Sequence, residues 1–213
     1  QGAPLVPIGD RHLFADYPIC LNIGGIANVS YEYEGKRIAY DICIANQILN
    51  YLANKLGYDY DNNGSFARQG KVNLDLLKAF NDNSYYDKEA PKSLGREFFE
   101  KYQHQIIEES TLDVRDILAT ATEHIASQIV KSTDMLEKSK MLITGGGAKN
   151  NYLVERISEL SKHEVVIPDT MIIDYKEALI FAFLGTLKME GKINVLSSVT
   201  GATSDSSSGT IHN

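Results

Sequence analysis

Ile19-Cys20-Leu21-Asn22-Ile23-Gly24-Gly25-Ile26-Ala27-Asn28-Val29-Ser30 is the stretch on which the fold turns. Ile19, Leu21 and Ile23 fall on one side of an extended chain, the period of a half-buried strand. Gly24-Gly25 reads as a turn, which an ordinary hairpin would explain. A second strand is expected from Ala27 to Tyr33, rich in Val and Tyr. Glu34-Gly35 is a further turn signal, and Lys36 to Asp41 reads as a third strand ending at Asp41. Three strands joined by turns this short make an antiparallel meander.

Beyond the meander, helices and strands alternate. Asn46 is placed to cap a helix carrying Ile48, Leu49, Leu52 and Leu56, which Gly57 stops. Residues 58–70 are polar and turn-rich, Leu74 to Phe80 has the spacing of a short helix, and 81–93 reads as loop around Pro91. The clearest helix runs from about Asp116 to Lys131, with Ile117, Ala121, Ile125 and Ile129 four residues apart. Met141 to Thr144 reads as a short buried strand ending at Gly145-Gly146-Gly147, and Leu153, Val154, Ile157 and Leu160 mark the helix after it. Val165 to Ile167 is another strand, closed by Pro168. The last long helix is expected near Asp174, where Asp174 and Glu177 have capping-box spacing. From Ser197 the chain reads as loops with one short strand at most.

The resulting order is β-β-β-α, a helical insertion at about 57–131, then α-β-α-β-α. It describes an α/β protein, a mixed sheet with helices on its faces, matching one lobe of the ribonuclease-H/actin-like fold. The pattern does not recur within residues 1–213, so one lobe is expected and not two.

Of the 213 residues, 43% are hydrophobic and 23% charged, an ordinary globular composition, and the net charge is −7. That acidity argues against nucleic acid, whose phosphates need clustered Lys and Arg. A small anion remains open, since a local nest of backbone N–H groups outweighs global charge. Cys20 and Cys43 each stand alone among apolar residues and read as reduced, buried thiols, not metal ligands. No apolar run long enough to span a membrane and no signal peptide is visible, so a cytoplasmic protein is expected. The chain opens on Gln1, not Met, and Gln1 to Pro7 reads like mid-protein sequence with something upstream missing.

Few segments carry chemistry. Gly145-Gly146-Gly147 sits between a strand and a helix, where backbone approaches a ligand closely and a helix N-terminus favours anions; an ordinary tight turn explains it equally well. The asparagines flanking Gly24-Gly25, Asn22 and Asn28, stand in an otherwise apolar run and can orient a ligand through their amides. Asp41 at a strand terminus suits a water-mediated Mg2+ contact or a plain turn. Arg96 and Glu97 read either as a solvated pair or as partners for sugar hydroxyls. His124 lies at the edge of an apolar helix face, and His12, His104, His163 and His212 have no triad context.

Several of these segments, in this order, resemble anhydro-N-acetylmuramic acid kinases. The stretches are QGAPLVP (1–7), LNIGGIANVS (21–30), ARQGK (67–71), PKSLGREFF (91–99), ATATE (119–123), ITGGGAKN (143–150), KEALIFAFL (176–184) and SVTGA (198–202). The resemblance implies a two-lobed enzyme of the actin and hexokinase superfamily that binds ATP and Mg2+ between its lobes. Its implied reaction opens the ring of 1,6-anhydro-N-acetylmuramic acid with water while O6 takes the γ-phosphoryl group. By the same resemblance Gly24 and Gly25, with Asn28 beside them, match a phosphate-binding turn. Gly145, Gly146 and Gly147 match an adenosine-binding turn with Asn150 nearby, and Glu97 matches a residue that touches sugar.

Where many relatives read Asp-Thr-Gly-Pro-Gly-Asn, this chain reads Asp41-Ile42-Cys43-Ile44-Ala45-Asn46. Asp41 and Asn46 are retained as candidate substrate contacts, but both glycines are gone. The family's aspartate base and first phosphate loop precede the QGAPLVP segment, so no catalytic residue and no metal ligand is assigned, and the chain alone is expected to be inactive. The expected partners are ATP and an amino sugar, with no nucleic acid or membrane, and a homodimer is left open. Two alternatives stand beside the kinase: a non-catalytic nucleotide-binding or regulatory module, and a kinase for another sugar.

Overall fold

The alternation along the first strand decides which way the sheet faces. In the computed structural model, which describes residues 5–211, α1 (Val6–Leu13) leads into β1 (Ile19–Ile23), β2 (Ile26–Tyr33) and β3 (Lys36–Ile44). Then come α2 (Asn46–Lys55), α3 (Leu74–Asn81), α4 (Arg96–Phe98), α5 (His104–Glu108) and α6 (Val114–Thr133). The chain closes with β4 (Lys140–Thr144), α7 (Asn151–Leu160), β5 (Glu164–Val166), α8 (Thr170–Met189) and α9 (Ser197–Thr200). Gln1 to Pro4, any hinge at those first residues, and His212 lie outside the described residues.

The five strands lie in the order β3-β2-β1-β4-β5. The first three form the expected antiparallel meander, while β4 and β5 join parallel to β1. Ile19, Leu21 and Ile23 face α2, α6 and α7 and form the larger core with Met141, Ile143, Leu52 and Ile125. Cys20 and Leu142 point the other way, against Ile8, Phe14, Ile180 and Leu184 from α1 and α8. Both cysteines are buried and free, as the apolar setting required.

Four local expectations need correction. β3 runs through Ile44, so Asp41 lies inside the strand and not at its end. The N-cap of α2 is Ala45, and the Asn46 side chain instead donates to the Ile23 carbonyl at 3.2 Å. α8 starts one turn earlier than Asp174, because Asp169 accepts from the Ile172 N–H at 2.9 Å and is itself the cap. His124 is fully buried, not at a core edge. Burial pushes its pKa down to about 3, and the neutral ring is matched to Asn81 Oδ1 at 2.7 Å and Tyr86 at 3.3 Å.

Candidate functional site

The strand register brings four polar side chains into one row. Thr144 pairs with Asn22, Asn22 with Asn28, and Asn28 with Asp41, so the row crosses β4, β1, β2 and β3 in turn. Asp41 reaches the row through a bulge: Ala27 pairs with Cys43 and Asn28 with Asp41, leaving Ile42 unpaired between them. All four line a cavity of about 620 Å³ on the sheet face that α1 and α8 only partly cover.

Two glycine turns meet at this cavity for different reasons. Gly145 has φ 80° and ψ 173°, a conformation reserved for glycine, and an added Cβ would lie 2.6 Å from Asn22 Oδ1 and 2.8 Å from the Ile23 carbonyl. Gly24 and Gly25 have no positive φ, and a Cβ on Gly24 would meet nothing closer than 3.6 Å. Hairpin geometry therefore does not account for them. Their carbonyls accept from the first N–H groups of the α2 turn, Ala45 at 2.8 Å and Asn46 at 3.0 Å. Those helix N-terminal donors are thus already used.

The remaining expected residues divide among places. Gly146 borders both the large cavity and a second one of about 330 Å³ that also touches Asn46, Tyr60, Lys149 and Asn150. Asn150 caps α7 by accepting from Leu153 N–H at 3.1 Å. Gly147 packs on Ile23 and lines neither cavity; a Cβ there would meet that side chain at 2.2 Å. Glu97 is exposed in a third depression of about 280 Å³ beside Lys88 and Lys101. Asp41 links that region to the sheet: its Oδ2 accepts from Leu94 N–H at 2.9 Å, which offsets part of the upward pKa shift that burial imposes.

Below the row lies a buried charge cluster that the sequence did not flag. Asp10 accepts from Ser30 Oγ at 2.5 Å, with Lys176 Nζ at 2.7 Å and Arg37 Nη2 at 3.8 Å. Asp10 and Lys176 both line the large cavity, as does Glu177, one residue on. Asn22 had been raised from the sequence as an amide able to orient a ligand, whereas Thr144, Asp10 and Lys176 were not among the candidates. Two asparagines flanking Gly24-Gly25 in an apolar run were the signal for Asn22, and a lysine within an apolar helix was the available signal for Lys176. Among the described residues no group of three or more potential ligands could hold a metal ion, and no helix is long and apolar enough to cross a membrane.

The family profile described as anhydro-N-acetylmuramic acid kinase matches residues 1–213. The chain belongs to that family. Curated members include the anhydro-N-acetylmuramic acid kinase of Gloeobacter violaceus, 38% identical over 218 residues, covering 95% of this chain and 58% of that protein. The same enzyme of Actinobacillus pleuropneumoniae serotype 7 is 35% identical over 225 residues, covering 100% of this chain and 61% of that protein. The chain thus spans about three-fifths of the length of these anhydro-N-acetylmuramic acid kinases. In fold it resembles the ADPNP-bound activator of the 2-hydroxyisocaproyl-CoA dehydratase from Clostridium difficile (TM-score 0.54, 17% identity, 89% of this chain and 68% of that one). It also resembles component A of the (R)-2-hydroxyglutaryl-CoA dehydratase from Acidaminococcus fermentans (TM-score 0.51, 17% identity, 82% and 63%). At that identity the likeness concerns architecture alone, and the architecture is the actin-like lobe expected from the strand order.

Proposed function

We propose that this chain is the part of an anhydro-N-acetylmuramic acid kinase that holds ATP, and that the longer protein opens 1,6-anhydro-N-acetylmuramic acid and phosphorylates its O6. The observation that carries the reading is the row Thr144–Asn22–Asn28–Asp41, flanked by Gly24 and Gly145–Gly146 along one cavity. Gly24 is glycine where neither backbone conformation nor packing demands it, as a close approach by phosphate oxygens would require. Phosphoryl transfer asks the protein mainly for positioning and charge neutralisation, and amides and hydroxyls in a fixed row serve the first. Gly146 and Asn150 beside the second cavity fit an adenosine moiety that continues from the phosphates.

Mg2+ fits this donor set as an ion carried on the nucleotide. Asp41 and Glu177 face the cavity and form no ion pair among the described residues, and Mg2+ is commonly held by one or two carboxylates plus phosphates. Such an ion would neutralise charge on the transferred group. The aspartate base falls outside this sequence, so water activation belongs to the portion of the longer relatives that is unmatched here. Glu97 stands apart from the large cavity, and its sugar contact would require the loop bearing it to move.

The test is an assay of the longer native protein with ATP, Mg2+ and the anhydro-sugar, read by mass spectrometry for N-acetylmuramic acid 6-phosphate. Absence of that product, with ATP still bound, would sink the kinase reading. A second reading, a nucleotide-binding module without catalysis, draws on Ile42, Cys43, Ile44 and Ala45. All four are buried as strand and core where relatives carry a glycine loop. The same assay separates the two.

A further inference from the structure

Asp41 is gripped at three atoms by one segment of the helical insertion. β3 is an edge strand of the sheet, so its outer N–H and C=O groups have no further strand to meet. At Asp41 residues 85–94 take that place. The Lys92 carbonyl accepts from Asp41 N–H at 3.3 Å, and the buried Tyr85 hydroxyl donates to the Asp41 carbonyl at 2.6 Å. Leu94 N–H then donates to Asp41 Oδ2 at 2.9 Å. Oδ1 accepts nothing among the described residues, and Asp41 lines the large cavity. One carboxylate oxygen is fixed and the other is left for a ligand. The strand ladder alone would not aim this side chain, because Asp41 sits at the bulge that leaves Ile42 unpaired.

Lys92 closes the grip. Its Nζ donates back to the Tyr85 carbonyl at 3.3 Å, so a ring of hydrogen bonds runs from Asp41 to Tyr85, from Tyr85 to Lys92 and from Lys92 to Asp41. The same Nζ lies 4.9 Å from the centre of the Tyr85 ring and 5.2 Å from that of Tyr40, the residue before Asp41, within reach of both π faces. It has no carboxylate partner among the described residues. The nearest candidate, Asp87, is committed to Lys131 at 2.9 Å, and Lys131 and Lys88 both repel it. A lysine serving only solubility would extend into water. This one is half-buried without an ion pair, where it holds residues 85 and 92 at a fixed spacing across Asp41.

We propose that Lys92 is a positioning residue for Asp41, holding the 85–94 segment so that the free Asp41 oxygen faces the ligand in the large cavity. The proposal rests on the reading of Asp41 as a ligand-facing carboxylate of the kinase, and two separate readouts on the longer native protein test it. With isotope-labelled leucine, the Leu94 amide shift should follow the titration of Asp41, whose carboxylate it bonds. In Lys92→Met that response should be lost, and kcat should fall on the order of 10-fold with KM for ATP held within about twofold. Lys92→Arg can lie between the same rings and donate to the same carbonyl, and should restore both. Lys131→Met removes a neighbouring positive charge without touching the ring of bonds and should change neither. A Lys92→Met protein that melts earlier yet keeps the Leu94 titration and kcat would overturn the proposal, since the lysine would then serve stability alone. Should that variant fail to fold, Tyr85→Phe removes only the hydroxyl on the Asp41 carbonyl and should move both readouts in the same direction; an unaltered Tyr85→Phe would overturn the proposal too. A native protein that forms no product sinks the kinase reading, while the amide titration still decides the grip.

Discussion

Gly24 and Gly145 line the same cavity from neighbouring strand ends, yet alanine is expected to act differently at each. Gly145→Ala forces a side chain into a backbone conformation that only glycine adopts freely and toward the Ile23 carbonyl, costing about 2 kcal/mol or more. Gly24→Ala makes only ordinary van der Waals contacts, at 3.6 Å and beyond, and should leave the melting temperature within about 1 °C. Made at the aligned glycine of a full-length relative, it should weaken ATP binding in a calorimetric titration; unchanged affinity would remove Gly24 from the phosphate site. Asp41 shows the opposite trade. Burial raises its pKa, so ionised Asp41 is less well accommodated at pH 7 than a neutral group of the same shape. The penalty fades as pH falls through its folded-state pKa and is gone below the unfolded value, where the side chain is neutral in both states. Asp41→Asn keeps an acceptor for Leu94 N–H and should raise the melting temperature at pH 7 by about 1–2 °C, the gain shrinking toward pH 4. A variant less stable at pH 7 would show that Asn cannot hold the 92–94 loop.

At the scale of elements, the Asp10 cluster joins α1 and α8 to the sheet, and its charge count sets the order of damage. One buried carboxylate faces two buried cations, with Ser30 relaying between Arg37 and Asp10 through hydrogen bonds of 2.7 and 2.5 Å. Asp10→Ala leaves Lys176 without its carboxylate and Arg37 with only the half-exposed Glu32 at 3.6 Å, and should cost about 3–5 kcal/mol in urea denaturation. Lys176→Met leaves the Asp10–Arg37 pair neutral as a unit and should cost no more than about 1.5 kcal/mol. The reverse order would show that Arg37 does not balance Asp10. This cluster also marks where sequence reading stops. The meander was legible because strand alternation is local, and the helix with Ile117, Ala121, Ile125 and Ile129 because its period is regular. α1 was not, because Pro7 and Gly9 break its pattern while Gly9 is there to admit Ile180, 171 positions away. The helical run through α4 and α5 was missed because a π turn at Phe99–Gln103 interrupts the 3.6-residue period. Glycine turns announce themselves in a sequence, whereas the Thr144–Asn22 pairing depends on register between strands more than a hundred residues apart.

At the scale of the molecule, the cavity is built from one side. The sheet supplies the polar row, α1 and α8 supply partial walls, and the apolar face of α8 beside the opening has no cover among the described residues. Phosphoryl transfer needs a site that excludes water and fixes acceptor and donor in line, and a ligand held by one wall keeps much of its hydration and freedom. If the missing contacts are worth about 3 kcal/mol, ATP should bind this chain on the order of 100-fold more weakly than it binds a full-length relative. If the water-activating group belongs to the unmatched portion of the relatives, as proposed, the chain should also form no detectable N-acetylmuramic acid 6-phosphate from the anhydro-sugar. Equilibrium titration with ATP and a product assay on the 213-residue chain, each beside the Actinobacillus pleuropneumoniae enzyme, measure the two quantities independently. Affinity equal to that of the full-length enzyme would mean that the row and the two glycine turns hold the nucleotide unaided. Turnover by the chain would place a water-activating group among its own residues, and Glu177 on the cavity wall would be the first to replace.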